Sequence, residues 1–259
     1  MTGRIRVVKI GGNVVDNPEA LSGFLDSFSR LVGPKILVHG GGKEATRLSA
    51  ALGIETTMIG GRRVTDAQTL DVVTMVYAGL INKRIVAQLQ ARGVNAIGMS
   101  GADANLIRAT RRPAEPIDYG FVGDIDPLDV DDCVISEKLS NGLVPVVCAI
   151  THDGDGQLLN CNADSVASSV AIAASRIAPV DLIFCFEKPG VLADPDDDSS
   201  VIAEINRETF EVLRDDGTIS RGMLPKIEGA LKAIDSGVSE VYIKSADNLL
   251  NPMGTVIVR

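Results

Sequence analysis

The amino-acid sequence predicts an α/β fold, a mainly parallel sheet with helices on its faces. Short β-branched runs alternate with longer stretches of helical period along the chain. Two of the strand runs end in glycines, and the second of these passes at once into a helix. The 259 residues are 45% hydrophobic but only 3% aromatic, with no Trp, so the core is aliphatic and large enough for one α/β domain or two small lobes.

Taken in order, the strands are 5–10, 36–39, 96–99, 144–150, 182–186 and 241–244, each a short, mainly aliphatic run. Between them the helical period predicts helices over 19–31, 43–52, 67–91, 127–141, 163–176, 207–213 and 224–236. Caps support several of them. Asn17 stands before Pro18 at a first turn, Asp66 precedes the long helix, and Gly93 and Gly142 follow helix ends. Residues 101–126, carrying Arg108, Arg111, Arg112, Pro113 and Pro116, break the alternation and read as a β-hairpin excursion with the position of a lid. Residues 151–156 carry Asp153 and Asp155 at calcium-loop spacing, but the remaining ligands are absent, so a hairpin turn is the better reading. Asp194 to Asp198 reads as a solvated loop.

Acidic residues outnumber basic ones by 34 to 25, a formal charge of −9, which argues against a nucleic-acid partner. No apolar stretch reaches the roughly 18 residues of a membrane helix and no signal peptide is legible, so no membrane partner is expected. Cys133, Cys148, Cys161 and Cys185 form no CxxC pair, which predicts a reduced cytoplasmic protein with no metal site.

Five segments carry chemistry. Lys9 lies inside an apolar strand one residue before its end, followed by Gly11 and Gly12, whose backbone N–H groups can approach an anion closely. A solvent-facing edge lysine before a turn is the plainer alternative. In His39-Gly40-Gly41-Gly42-Lys43 a strand, a glycine turn and a helix start form an anion cradle, neither a Walker A loop nor GxGxxG. Arg62-Arg63 stands before a capped helix, as a carboxylate clamp or as a surface ion pair. Asn160, Asn162 and Asp164 alternate at a helix entry, which in extended chain turns them to one side. Lys226 falls in a first helical turn, where a cation calls for an anionic partner unless it is fully exposed. His39 and His152 accompany no nucleophile and read as structural.

In this order the five motifs resemble the amino-acid kinase superfamily, and most closely its acetylglutamate kinases, over nearly the whole chain. The resemblance implies a single domain over residues 1–259, a three-layer αβα sandwich around an open, mainly parallel sheet of the carbamate kinase-like type. It places the acyl-amino-acid site in the N-terminal half and the nucleotide site in the C-terminal half. It implies Lys9 and Lys226 as catalytic cations fixed by Asp164, Gly41, Gly42, Arg63 and Asn160 as substrate-binding residues, and ATP with Mg2+ as cosubstrate. Gly11 and Gly12 would hold phosphate. Where relatives carry Ser or Thr followed by Asp, this chain reads Phe186-Glu187-Lys188-Pro189-Gly190, so Glu187 takes the place of that Asp and, with Gly190, is expected to bind nucleotide.

The implied reaction is phosphorylation of the side-chain carboxylate of N-acetyl-L-glutamate in arginine biosynthesis. A carboxylate with a reference pKa of about 4.3 is already ionised, so no general base is needed. Two other readings stay open. Arg108, Arg111 and Arg112 on the lid would suit the second carboxylate of N-succinylglutamate, and a non-catalytic amino-acid sensor would share the fold. Eight residues precede Lys9, which leads to the expectation of a homodimer without the extra N-terminal helix of arginine-inhibited hexamers.

Overall fold

The computed structural model describes residues 3–219 and 222–259. Strand β1 (Ile5–Ile10) is followed by a single-turn helix α1 (Gly12–Asp16), then α2 (Pro18–Arg30), β2 (Lys35–His39), α3 (Gly42–Ala51) and a small hairpin, β3 (Met58–Ile59) with β4 (Arg62–Arg63). Helix α4 (Ala67–Thr74) runs through a π-helical segment, Met75–Ile81, into α5 (Asn82–Gln90) and β5 (Ala96–Met99). Next come the hairpin of β6 (Thr110–Arg111) and β7 (Gly123–Asp124), α6 (Asp132–Ser140), β8 (Val144–Cys148), and the hairpin of β9 (Ile150–His152) and β10 (Leu158–Asn160). The chain closes with α7 (Ala163–Ser175), β11 (Val180–Phe186), β12 (Glu204–Ile205), α8 (Arg207–Asp215), α9 (Leu224–Asp235), β13 (Glu240–Ser245) and β14 (Thr255–Ile257).

Eight strands form one sheet in the order β12-β14-β13-β11-β1-β2-β8-β5. Every pairing is parallel except β13 with β14. Helices α6, α7 and α9 pack together as one layer, and α2 and α5 as another, which gives the αβα sandwich. The central strands are buried on both faces, so they read as continuous aliphatic runs without alternation. Among the described residues no helix is long and apolar enough to cross a membrane.

Local chemistry explains the helix boundaries. The Asn17 side chain accepts hydrogen bonds from the N–H groups of Glu19 and Ala20, and Asp66 accepts from Thr69. Gly93 and Gly142 take φ of +74° and +72° just past helix ends. Lys35 is buried because its Nζ donates to the carbonyls of Phe28, Ser29 and Leu31 at 2.7–3.0 Å, closing the C-terminal end of α2 where a cation is favoured.

Several expectations need correction. Residues 144–150 are two strands: β8 ends at Cys148 and β9 leaves the sheet to pair with β10, a change of partner that an unbroken apolar run conceals. The 127–141 helix is a 3₁₀ turn over Pro127–Asp129 followed by α6, whose cap is Asp131. Helix α1 and strands β3, β4, β12 and β14 are too short to show a period, and the sequence did not reveal them. The 101–126 hairpin and the 151–156 turn are present, and the Asp194–Asp198 loop is exposed.

Candidate active site

The carboxyl ends of β1, β2 and β11 converge, as expected for an open parallel sheet. Lys9 pairs in register with Phe184 of β11 and Val38 of β2 and is only 8% exposed. Its Nζ lies 2.7 Å from Asp164 Oδ1 in the first turn of α7. That oxygen makes no aligned hydrogen bond, so the contact is an ion pair held by charge rather than by direction. Lys226, in the first turn of α9, approaches the same place. Burial pushes its ammonium below the ordinary lysine range; Asp164 opposes the shift, Lys9 adds to it and Glu187 opposes it.

Phe186 joins the two lysines. Lys226 Nζ stands 3.7 Å and Lys9 Nζ 5.1 Å from its ring centroid, within cation–π range. In the sequence Phe186 figured only as a departure from the pattern of relatives. Its position as the last residue of a strand ending at the site was the available signal.

The glycine turn after β2 is sterically dictated. A Cβ on Gly41 would lie 2.3 Å from Ile81 Cδ1 and 3.0–3.1 Å from the Tyr77 ring, so glycine alone lets the turn settle onto the π-helical segment. Gly42 opens α3. Arg63 is not a surface residue before a helix but the end of β4, 7% exposed, turned inward by a hairpin whose Gly60 and Gly61 both have positive φ. Its guanidinium donates to Gly42 O and Thr46 Oγ1 at 2.8 Å and to Thr56 Oγ1 at 3.2 Å. Asn160 Nδ2 donates to Thr65 Oγ1 at 3.0 Å. His39 is buried and structural: Nδ1 donates to Gly40 O at 2.8 Å, so Nε2 accepts from Asn82 Nδ2 at 3.0 Å, and burial pushes its pKa down to about 4.

Of the cavities that border Asp164, two carry these residues. The first, about 240 Å³, is lined by Gly41, Gly42, Arg63, Tyr77 and Asn160. The second, about 620 Å³, is lined by Gly11, Gly12, Glu187, Gly190 and Lys226. Lys9 and Asp164 line both. Every residue that the family resemblance assigned a role thus reaches one cavity or the other, and Tyr77 and Phe186 are additions.

Three details differ from expectation. The Gly11 N–H donates to Cys185 O at 3.1 Å, extending the sheet, and is not available to an anion; the Gly12 N–H begins α1. Asn160, Asn162 and Asp164 do not share one extended face, because Asn162 is the cap of α7 and its side chain accepts from the N–H groups of Asp164 and Ser165. Arg108, Arg111 and Arg112 pair with Asp129, Asp118 and Asp124 and do not line the first cavity, whereas Arg62 does. The hairpin that carries them is fastened to the site, with Phe121 N donating to Thr65 O and Asn160 N to Phe121 O.

Comparison with known proteins places this geometry. The pattern described as "Amino acid kinase family" matches residues 4–245. The acetylglutamate kinase of Bacteroides thetaiotaomicron is 50% identical over 257 residues, 99% of each chain. Among solved structures, smu.665 from Streptococcus mutans UA159 is 29% identical with a TM-score of 0.77, covering 98% of both chains. Giardia carbamate kinase shares the fold at 14% identity, with a TM-score of 0.69 over the full length of both. The chain belongs to the amino acid kinase family, and within it groups with the acetylglutamate kinases.

Proposed function

We infer that the protein transfers the γ-phosphoryl group of ATP to the side-chain carboxylate of N-acetyl-L-glutamate, forming N-acetylglutamyl 5-phosphate in arginine biosynthesis. One observation carries the mechanism: Lys9 and Asp164 stand where the two cavities meet, with Lys226 against the same point. In the first cavity Gly41, Gly42, Arg63 and Asn160 hold the acyl-amino acid. In the second Gly12, Glu187 and Gly190 receive the nucleotide. The nucleophile is already an anion, so the barrier lies in bringing two anions together and stabilising charge on the transferring group. Lys9 and Lys226 supply that stabilisation. Asp164 offsets their mutual repulsion and holds Lys9 in place.

The cation-rich cleft is no cage for a divalent ion, and Asp164 is committed to Lys9. Mg2+ therefore enters on the ATP phosphates, where it neutralises charge. The domain functions as one unit, its N-terminal half building most of the acyl-amino-acid wall. A cytoplasmic location accords with four free thiols, three of them buried. A homodimer accords with the large apolar side chains Leu52 and Met75 left exposed on neighbouring elements; sedimentation equilibrium tests it, and unchanged activity in added arginine tests the absence of feedback. Arg108, Arg111 and Arg112 lie outside the first cavity, which favours N-acetylglutamate over N-succinylglutamate.

Hydroxylamine trapping of the acyl phosphate, with ATP, Mg2+ and N-acetylglutamate, N-succinylglutamate, glutamate or aspartate in parallel, tests the reading. Hydroxamate with N-acetylglutamate alone is expected. Preference for the succinyl compound would keep the mechanism and change the substrate, and no hydroxamate from folded, ligand-binding protein would indicate a sensor.

A further inference from the structure

Tyr77 faces the first cavity, yet no step above uses it. It sits on the π-helical segment, buried, with its ring against the Gly41 turn, on the face shared with Ile81. The phenol lies beside the Arg63 guanidinium. Burial pushes the phenol above its ordinary range and the Arg63 charge pulls the other way, so it is a protonated donor at neutral pH. Asp16 also faces it from α1, and its charge reinforces the protonated form.

Donor arithmetic shows what the hydroxyl is for. A guanidinium has five N–H donors, and three of those on Arg63 are committed to Gly42 O, Thr46 Oγ1 and Thr56 Oγ1. At most two remain for a ligand, while a carboxylate accepts about four hydrogen bonds. Resting on the acetylglutamate reading, we propose that Tyr77 is a substrate-binding residue whose hydroxyl donates to the α-carboxylate clamped by Arg63, selecting substrates that carry that group. The ring lies on the π-helical segment directly under the glycine backbone, 3.0–3.1 Å from where a Gly41 Cβ would stand.

The test compares wild type with Tyr77→Phe, which keeps the ring that packs on Gly41. With N-acetylglutamate the variant's KM is expected to rise about tenfold or more, the effect of removing a hydrogen bond to a charged group, while kcat falls less than threefold and the KM for ATP holds. With N-acetyl-4-aminobutyrate, which lacks the α-carboxylate, wild type and variant are expected to show the same KM. An unchanged KM for N-acetylglutamate, or an equal rise with both compounds, overturns the assignment. Wild type that makes no acyl phosphate from N-acetylglutamate instead overturns the underlying functional reading.

Discussion

At the scale of single residues, Lys9 and Lys226 were legible because each breaks a local rule. A lysine inside an apolar strand and a lysine at a helix N-terminus both call for partners, whereas Asp164, at home in a first helical turn, was marked only by its spacing from Asn160 and Asn162; here the three come together. Tyr77 and Phe186 break no rule, since an aromatic on an apolar helix stripe or at a strand end passes for core. Asp164→Asn preserves shape and removes the charge that opposes the desolvation of Lys226. Its kcat is expected to fall by about tenfold or more, with the alkaline limb of the pH–rate profile moved to lower pH and Tm little changed. Lys9→Ala is expected to lower kcat by about 10²- to 10³-fold with a smaller change in the KM for N-acetylglutamate. Full activity of either variant would show that the charge compensation lies elsewhere.

At the scale of elements, the parallel strands and long helices followed from hydrophobic period and caps, whereas the pieces that shape the site did not. The hairpin that turns Arg63 inward consists of two-residue strands, and the π-helical segment lies within a stretch whose apolar period runs on unbroken. The glycine cradle was legible, but the reason for Gly41 was not, because the atoms that exclude a side chain come from residues 77 and 81. Gly41→Ala forces Ile81 and the Tyr77 ring to move. It is expected to destabilise the fold by about 1–3 kcal/mol in urea unfolding. It is also expected to weaken N-acetylglutamate binding in titration calorimetry more than ATP binding, and an innocuous alanine would mean that the Ile81 side chain swings aside and the turn does not depend on glycine.

At the scale of the whole molecule, His39 ties the sheet to the helix layer through Asn82, whose amide also donates to Val146 O. Its folded pKa of about 4 lies below the reference of about 6.5, so between those values the unfolded chain binds more protons. Stability is therefore present above pH 6.5 and is lost as pH falls toward 4, by about 2 kcal/mol at pH 5 relative to pH 7 from this group alone. Urea midpoints at the two pH values check the loss. The chain has two histidines, so NMR should show one imidazole that stays neutral down to pH 5. Strand β1, made before the other strands of the sheet, lies near its middle, with β2 on one side and β11 on the other; Ile5 pairs with Val180. During translation β2 arrives almost at once, but β11 follows only after more than half the chain, roughly 7–30 s later at about 5–20 residues per second. For that interval the nascent protein carries an apolar strand with one edge open, a template for aggregation, and Lys9 within that strand has no counter-charge until Asp164 is made shortly before β11.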